Sequence, residues 1–508
     1  MNLAAYLPEA VASQLPALPI IIPIIAAPIT ILLPKGRIPH LWATFFSWVA
    51  FAVCAAILSE VMATGTISYH MGDWAPPVGI EYRIDLANAL VLFLVSGIAA
   101  IVFPFSWRSV ELEVDERQTP LFYAAMLICM TGLLGVTITG DAFNVFVFLE
   151  ISSLSTYALV AMGAKRDRRA LTAAFNYLVM GTIGATFFVI GLGLLYQATG
   201  TLNMAHLAEL LRGNNNTMVE AGFAFIVVGI GLKLAMFPLH PWLPGAYAYA
   251  PSAVTAFLAS TATKVAVYVM IRFIYSIFNF DFPFVGAAFT YILLPLGLAG
   301  MFIASLVALF QDDVKRMLAF SSVAQIGYML LGLSFATVDG LTATLVHVFN
   351  HALMKGALFM AVACVIFRTG SHSIHAFQGL AKRMPFTAWA FIISGLSLIG
   401  VPLTVGFVSK WYLLEAAFSA GHGYTAFLIV ASSLIALAYV GRVVEVMVLR
   451  EPLEGALRHR QAGSPLSMLI PMWLLVIANI YFGLNTSLTG DIARRAAESL
   501  MLMAGGAP

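Results

Sequence analysis

GLKLAMFPLHPW at 231–242 and GLSLIGVPLTVGFVSKW at 395–411 are the two stretches on which the fold turns. Each reads as an apolar helix interrupted by proline, at Pro238 and at Pro402. Each carries one lysine near the break, Lys233 or Lys410, and an aromatic residue just beyond. Proline removes a backbone hydrogen bond and frees carbonyls that protein or water must satisfy. Paired broken helices in corresponding positions of two halves point to a transport site. Two unrelated proline kinks are the alternative, since proline is frequent in membrane helices.

The rest of the chain sets these stretches in a membrane. Of 508 residues, 61% are hydrophobic and 10% charged, where soluble domains carry roughly 25% charged residues. The class is an all-α polytopic membrane protein. The net charge of +2 gives no sign of nucleic-acid binding. Cys54, Cys129 and Cys364 fall in apolar runs, without CxxC or histidine spacing, and read as small apolar fillers. No Lys or Arg precedes Lys35, so a cleavable signal is not expected.

At about 20 apolar residues per pass, the sequence predicts about fourteen transmembrane helices. Helix 5 falls near 141–162, helix 7 near 220–247, helix 8 near 251–278, helix 11 near 339–367, helix 12 near 386–417 and the last near 466–487. The two broken stretches are therefore five helices apart. An odd offset reverses direction across the membrane, so a five-helix unit is expected to recur inverted. Loops after odd-numbered helices hold sixteen Lys and Arg, and loops after even-numbered helices hold only Arg83, Arg212 and Arg272. By the positive-inside rule the odd loops are cytoplasmic and both termini lie outside. Arg494 and Arg495 in the tail run against this trend.

Four lysines lie inside apolar runs: Lys233, Lys264, Lys355 and Lys410. A charged ammonium at mid-bilayer costs about 3 kcal/mol on insertion scales, and its usual reason is a polar path for ions or protons. Glu150, well inside helix 5, is the expected partner of Lys233. At 4 Å and an effective dielectric of about 20, their attraction is about 4 kcal/mol. Either the pair opens as a switch that releases a proton, or it is a static tie between helices. Lys264 is flanked by Ser260, Thr261 and Thr263, which can hold water or ammonium. His347, His351 and Lys355 stand at i, i+4 and i+8 on one stripe of helix 11. Proton relay, structural hydrogen bonding and metal binding are the three uses of such a stripe, and no HExxH or nearby carboxylate supports zinc. Glu415 is a partner or exit acid for Lys410, and His240 an intake group or a cap for freed carbonyls. Arg442 and Glu445, at i and i+3, are expected to pair. No GxGxxG, Walker loop or haem-type ligand pair is present, so no cofactor and no metal are expected. The driving force is then an ion gradient or a partner.

GDAFNVFVFLEISSLSTYAL at 140–159, GIGLKLAMFPLHPWLPGAYAYAPSAVTAFLASTATKVAVY at 229–268 and VHVFNHALMKGALF at 346–359 carry a resemblance. They resemble the antiporter-like subunits shared by respiratory complex I and Mrp-type cation/proton antiporters. The similarity covers nearly the whole chain, and length and the short tail make it most similar to the D subunit of Mrp antiporters. The resemblance implies fourteen helices, with helices 4–8 and 9–13 as inverted five-helix repeats and helices 7 and 12 broken. The matching division is 1–118, 119–278, 279–447 and 448–508. It implies proton translocation through Glu150, Lys233, Lys264, His347, His351, Lys355 and Lys410. It also implies partners, the A, B, C, E, F and G subunits of a Na⁺/H⁺ antiporter in a bacterial inner membrane, and a transporter subunit rather than an enzyme. The rival reading is a membrane-arm proton-pumping subunit of a complex I-like quinone oxidoreductase or a membrane hydrogenase.

Overall fold

The computed structural model describes residues 8–214, 216–280, 282–451 and 463–505. Arg458 and Arg460 of the basic loops lie outside the described residues. Eleven of the described helices are long and apolar enough to cross a membrane. One shorter apolar helix and two broken ones complete fourteen passes, α1 to α14. The first six are α1 Leu18–Leu32, α2 Arg37–Thr64, α3 Leu86–Glu113, α4 Thr119–Ile138, α5 Ala142–Ala161 and α6 Arg169–Thr199. The seventh is split into α7a Thr217–Lys233 and α7b Trp242–Tyr249. α8 is Ser252–Phe278, α9 Pro283–Leu309, α10 Val314–Ser334 and α11 Val338–Thr369. The twelfth is split into α12a Pro385–Ile399 and α12b Val405–Ser419, and α13 Gly423–Leu449 and α14 Leu466–Leu484 follow. The spans agree with the hydropathy reading.

Three elements are not foreseen. A hairpin of β1 Ile67–His70 and β2 Glu81–Ile84 pairs antiparallel, Ile67 opposite Ile84. A short surface helix, Met204–Leu211, follows α6. The tail is α15 Ser487–Met503, buried along Ile492, Ala493, Ala496, Ala497 and Leu500.

The inverted repeat shows in its connections. α5 begins at an Asp141 cap, and the strand-like segment before it is stitched to the segment after α6. Ala142 N donates to Leu202 O at 2.8 Å, and Met204 N to Gly140 O at 2.9 Å. α10 begins at an Asp313 cap, with the same stitch to the segment after α11. There Val314 N donates to His372 O at 2.9 Å, and Ile374 N to Asp312 O at 2.8 Å. α6 and α11 both end on a left-handed glycine, Gly200 and Gly370, each at φ 74. Five passes separate the two stitches, so they close opposite ends of the bundle.

Glycines let helices approach. A Cβ on Gly229 of α7a would lie 2.7 Å from Gly184 O of α6, and one on Gly327 of α10 would lie 2.6 Å from Gly297 O of α9. Small residues at crossings replace the hydrophobic drive that lipid does not supply. α11 runs through the centre, with every residue from Gly340 to Ile366 buried.

Candidate functional site

Both proline breaks hold a non-glycine residue in left-handed backbone, Ala235 at φ 59 and Leu403 at φ 72. At the first break, Leu232 O at the end of α7a accepts from Ala235 N at 3.2 Å and also from Trp242 Nε1 at 3.0 Å, so an indole supplements the weakened last turn. Lys233, one residue on, turns to α5. Its ammonium donates to Glu150 Oε1 and to Ser153 Oγ, both at 2.8 Å. The lysine side chain is 7% exposed and the glutamate 22%. This is the ion pair expected from the sequence.

The other three lysines have no carboxylate partner among the described residues. Lys410 lies beyond the second break and reaches back to it. It donates to Ile399 O at 2.7 Å, Leu398 O at 3.2 Å and Ser433 Oγ at 2.9 Å. Its ammonium also sits 5.0 Å above the Tyr328 ring. The ammonium thus fills the carbonyl end of α12a, where the helix dipole favours a cation. Glu415 is exposed and is not its partner. It points away because it is five residues further along α12b, on a different face from Lys410.

α8 is also interrupted, at Thr261 (φ −125, ψ −59), with no proline to mark it. Lys264 donates to Ala259 O in the turn before this interruption, and to Thr263 Oγ1 at 3.3 Å. Of the flanking hydroxyls, Thr263 therefore contacts the ammonium, whereas Ser260 and Thr261 bond back to Ala256 O and Phe257 O. Lys355 donates to Leu318 O of α10 at 2.8 Å and to Ser321 Oγ. Lys264 and Lys355 are fully buried. Carbonyl dipoles and hydroxyls thus surround these three ammonium groups.

On α11 the rings of His347 and His351 stack with centroids 5.8 Å apart and planes 2° from parallel. His347 Nδ1 and Ser409 Oγ are joined at 2.9 Å, which ties α11 to the residue before Lys410. His347 Nε2 and both nitrogens of His351 are buried without a protein hydrogen-bond partner. Buried polar atoms are ordinarily paired, so three orphans in a row set this stripe apart. Asn350, off the stripe, donates to Val405 O at 2.8 Å and pins the start of α12b. At Gly356, next to Lys355, α11 meets the α8 interruption, since a Cβ there would come 3.0 Å from Ser260 Oγ. The stripe therefore reaches from the interruption of α8 to the start of α12b. Among the described residues no three His, Cys, Asp or Glu side chains gather as metal ligands.

Two further sequence readings change. His240 caps no carbonyl: its Nδ1 has no partner, and its ring stacks on Phe237 at 5.3 Å. Arg442 does not pair with Glu445. It donates to Leu309 O at 2.9 Å and to Asp312, closing the end of α9, while Glu445 faces Arg450 at 3.5 Å. One hub was missed altogether. Glu113, at the end of α3, accepts from Ser109 Oγ at 2.9 Å, Ser252 Oγ at 2.8 Å and Arg166 Nη1 at 2.6 Å. It also accepts from Ser252 N, so it closes the N-terminus of α8. Ser109 stands at the i, i+4 spacing, but Arg166 and Ser252 are too distant in sequence for spacing to reveal them.

Two broken helices at a repeat interface, with buried ionisable groups along a central helix, put the chain in the class of inverted-repeat membrane transport folds. Comparison with known proteins narrows the class. The model of the family NADH:quinone oxidoreductase/Mrp antiporter, transmembrane, matches residues 139–436, and the chain belongs to this family. It is 40% identical to the N subunit of the NADH-quinone oxidoreductase of Desulforudis audaxviator, over 95% of this chain and 98% of that one. It is 30% identical to the D subunit of the Na(+)/H(+) antiporter of Bacillus subtilis, over 95% and 96%. Among solved structures it is similar to a chain of the archaeal membrane-bound sulfane sulfur reductase, with TM-score 0.88, 31% identity and 97% and 99% coverage. A chain of the Mrp complex from a Dietzia species gives TM-score 0.86, 27% identity and 96% and 97% coverage.

Proposed function

We propose that this chain is a proton-translocating subunit of a multisubunit Na⁺/H⁺ antiporter. Protons pass through Lys233, Lys264, the stripe of His347, His351 and Lys355, and Lys410, and opening of the Glu150–Lys233 pair gates the passage. The observation that carries the reading is the contrast among the four lysines. One has a counter-charge that can be withdrawn, and three are held by neutral oxygens beside histidine nitrogens with no partner. Similarity to a D subunit of a Na(+)/H(+) antiporter and to the Mrp complex supports the cation and the partners, further Mrp subunits in one membrane assembly. We place the assembly in a bacterial cell membrane with the basic loops in the cytoplasm, following the bias of Lys and Arg.

A second reading is favoured by the 40% identical quinone oxidoreductase relative and by the sulfane sulfur reductase fold. Here the same lysine row serves a redox-driven complex, and the chain supplies the proton path and not the electron chemistry. Affinity purification of the intact complex followed by ion exchange in proteoliposomes decides between them. Sodium-driven proton movement by a complex without iron–sulfur or hydrogenase-like subunits is expected. Co-purification of such redox subunits, with no sodium response, selects the second reading.

A further inference from the structure

The three arginines in the sparsely basic loops converge. Arg83 comes from β2, Arg212 from the end of the short surface helix, and Arg272 from the last turns of α8. All three line one cavity of about 200 Å³. That is room for several waters. No acidic side chain lines it among the described residues. Arg272 is neutralised from outside the cavity by Asp85, at 2.7 and 2.9 Å. Arg83 and Arg212 have no side-chain partner among the described residues and are exposed. The cavity therefore keeps about two positive charges. One wall is apolar, built by Met204, Ala208 and Met503. It lies at the ends of α4 and α8, beside the hairpin and the short surface helix.

We infer that this cavity binds a phosphoryl anion, the phosphodiester of an anionic phospholipid headgroup. A guanidinium fork matches two phosphate oxygens at once. The two free arginines supply the forks, Arg272 is held in place by Asp85, and the apolar wall receives the first methylenes of the acyl chains. Basic residues are sparse on this face, and all three from its loops lie at one cavity. Such convergence has no topogenic use, because orientation depends on basic residues at the opposite face.

The test titrates the delipidated full-length protein, in its complex, with short-chain phosphatidylglycerol, with short-chain phosphatidylcholine and with inorganic phosphate. Binding is read by thermal shift and native mass spectrometry. Phosphatidylglycerol is expected to bind and raise the melting temperature, and phosphatidylcholine to do neither. Each basic residue near a membrane surface contributes about 1 kcal/mol, or about fivefold in affinity. Arg83→Gln/Arg212→Gln should then weaken phosphatidylglycerol about 25-fold, with Arg83→Lys/Arg212→Lys losing less. Arg212→Gln alone, expected to cost about fivefold, serves if the double variant does not fold. Arginine-dependent binding of inorganic phosphate without phosphatidylglycerol keeps the phosphoryl site and assigns it a soluble ligand. Equal binding by wild type and the glutamine variants, or no binding of either anion by wild type, overturns the site.

Discussion

Lys233 and Glu150 differ from the other buried charges in having each other. Removing one member leaves a buried charge without compensation, a loss of about 3 to 5 kcal/mol, whereas removing both leaves none. Glu150→Ala and Lys233→Ala should each lower the melting temperature of the purified complex, and the double variant should recover much of the loss. None of the three should carry sodium-driven proton movement in vesicles. Normal transport in either single variant would return the pair to a purely structural tie. Replacement of both His347 and His351 by Leu should slow exchange at least tenfold while assembly persists, and an unchanged rate would make the stripe structural. The lysines were legible because a charge in an apolar run needs a reason. Their partners were legible where a carboxylate stood in another apolar run, as Glu150 does, or where a hydroxyl stood beside the lysine, as Thr263 does. Backbone carbonyls carry no sequence signature, and Ser321, Ser409 and Ser433 look like any small polar filler in a membrane helix.

Helices were read from hydropathy with little error, because lipid demands that backbone groups be satisfied within a pass. Breaks were legible where proline forced them, at Pro238 and Pro402. The interruption at Thr261 was hidden, since a threonine there looks the same in a straight helix. The hairpin and α15 escaped because neither spans the membrane. Crossings depend on glycine. At Gly229 a Cβ would meet Phe188 N at 2.7 Å, while at Gly193 on α6 it would meet nothing within 4 Å. Gly229→Ala should destabilise by about 1 to 3 kcal/mol through overpacking of α6 on α7a. Gly193→Ala should be neutral or slightly stabilising, as alanine favours the helix. Melting curves of the two variants measured side by side check this, and equal curves would mean the crossing has slack.

At the scale of the molecule, the repeat was legible from two echoing breaks, but its closure was not. The stitches at Asp141 and Asp313 depend on backbone hydrogen bonds, which spacing does not reveal. They are alike in geometry and unlike in charge. At one, His372 Nδ1 lies 2.8 Å from Asp313 Oδ2. Burial pushes the Asp313 carboxyl up, but His372, the Arg316 N–H and the Lys315 charge together outweigh it and hold the group below the usual range. At the other, Leu202 stands where His372 does, and burial raises the Asp141 carboxyl. A depressed carboxylate contributes stability above its unfolded value and loses it as pH falls through the folded one, whereas a raised one gains as pH falls. Asn caps a helix about as well as Asp. Asp313→Asn should therefore destabilise the protein at pH 7 by about 1 kcal/mol, seen as a lower melting temperature, with the gap closing below about pH 4. Asp141→Asn should leave it unchanged or raise it. Equal losses at both positions would show that the caps, and not the charges, hold the stitches.

The parallel rings of His347 and His351 have a further consequence. No nitrogen of one ring is hydrogen-bonded to the other: His347 Nδ1 is taken by Ser409, and the remaining three have no protein partner. A proton leaving one cannot step straight onto the next. It passes through a molecule beside the stack, or waits for a ring to turn. Under the proposed path, the rate of exchange then depends on how readily water is drawn alongside α11. Vesicles placed under osmotic stress with an impermeant polymer should slow, and a variant lacking both rings should lose that sensitivity with its rate.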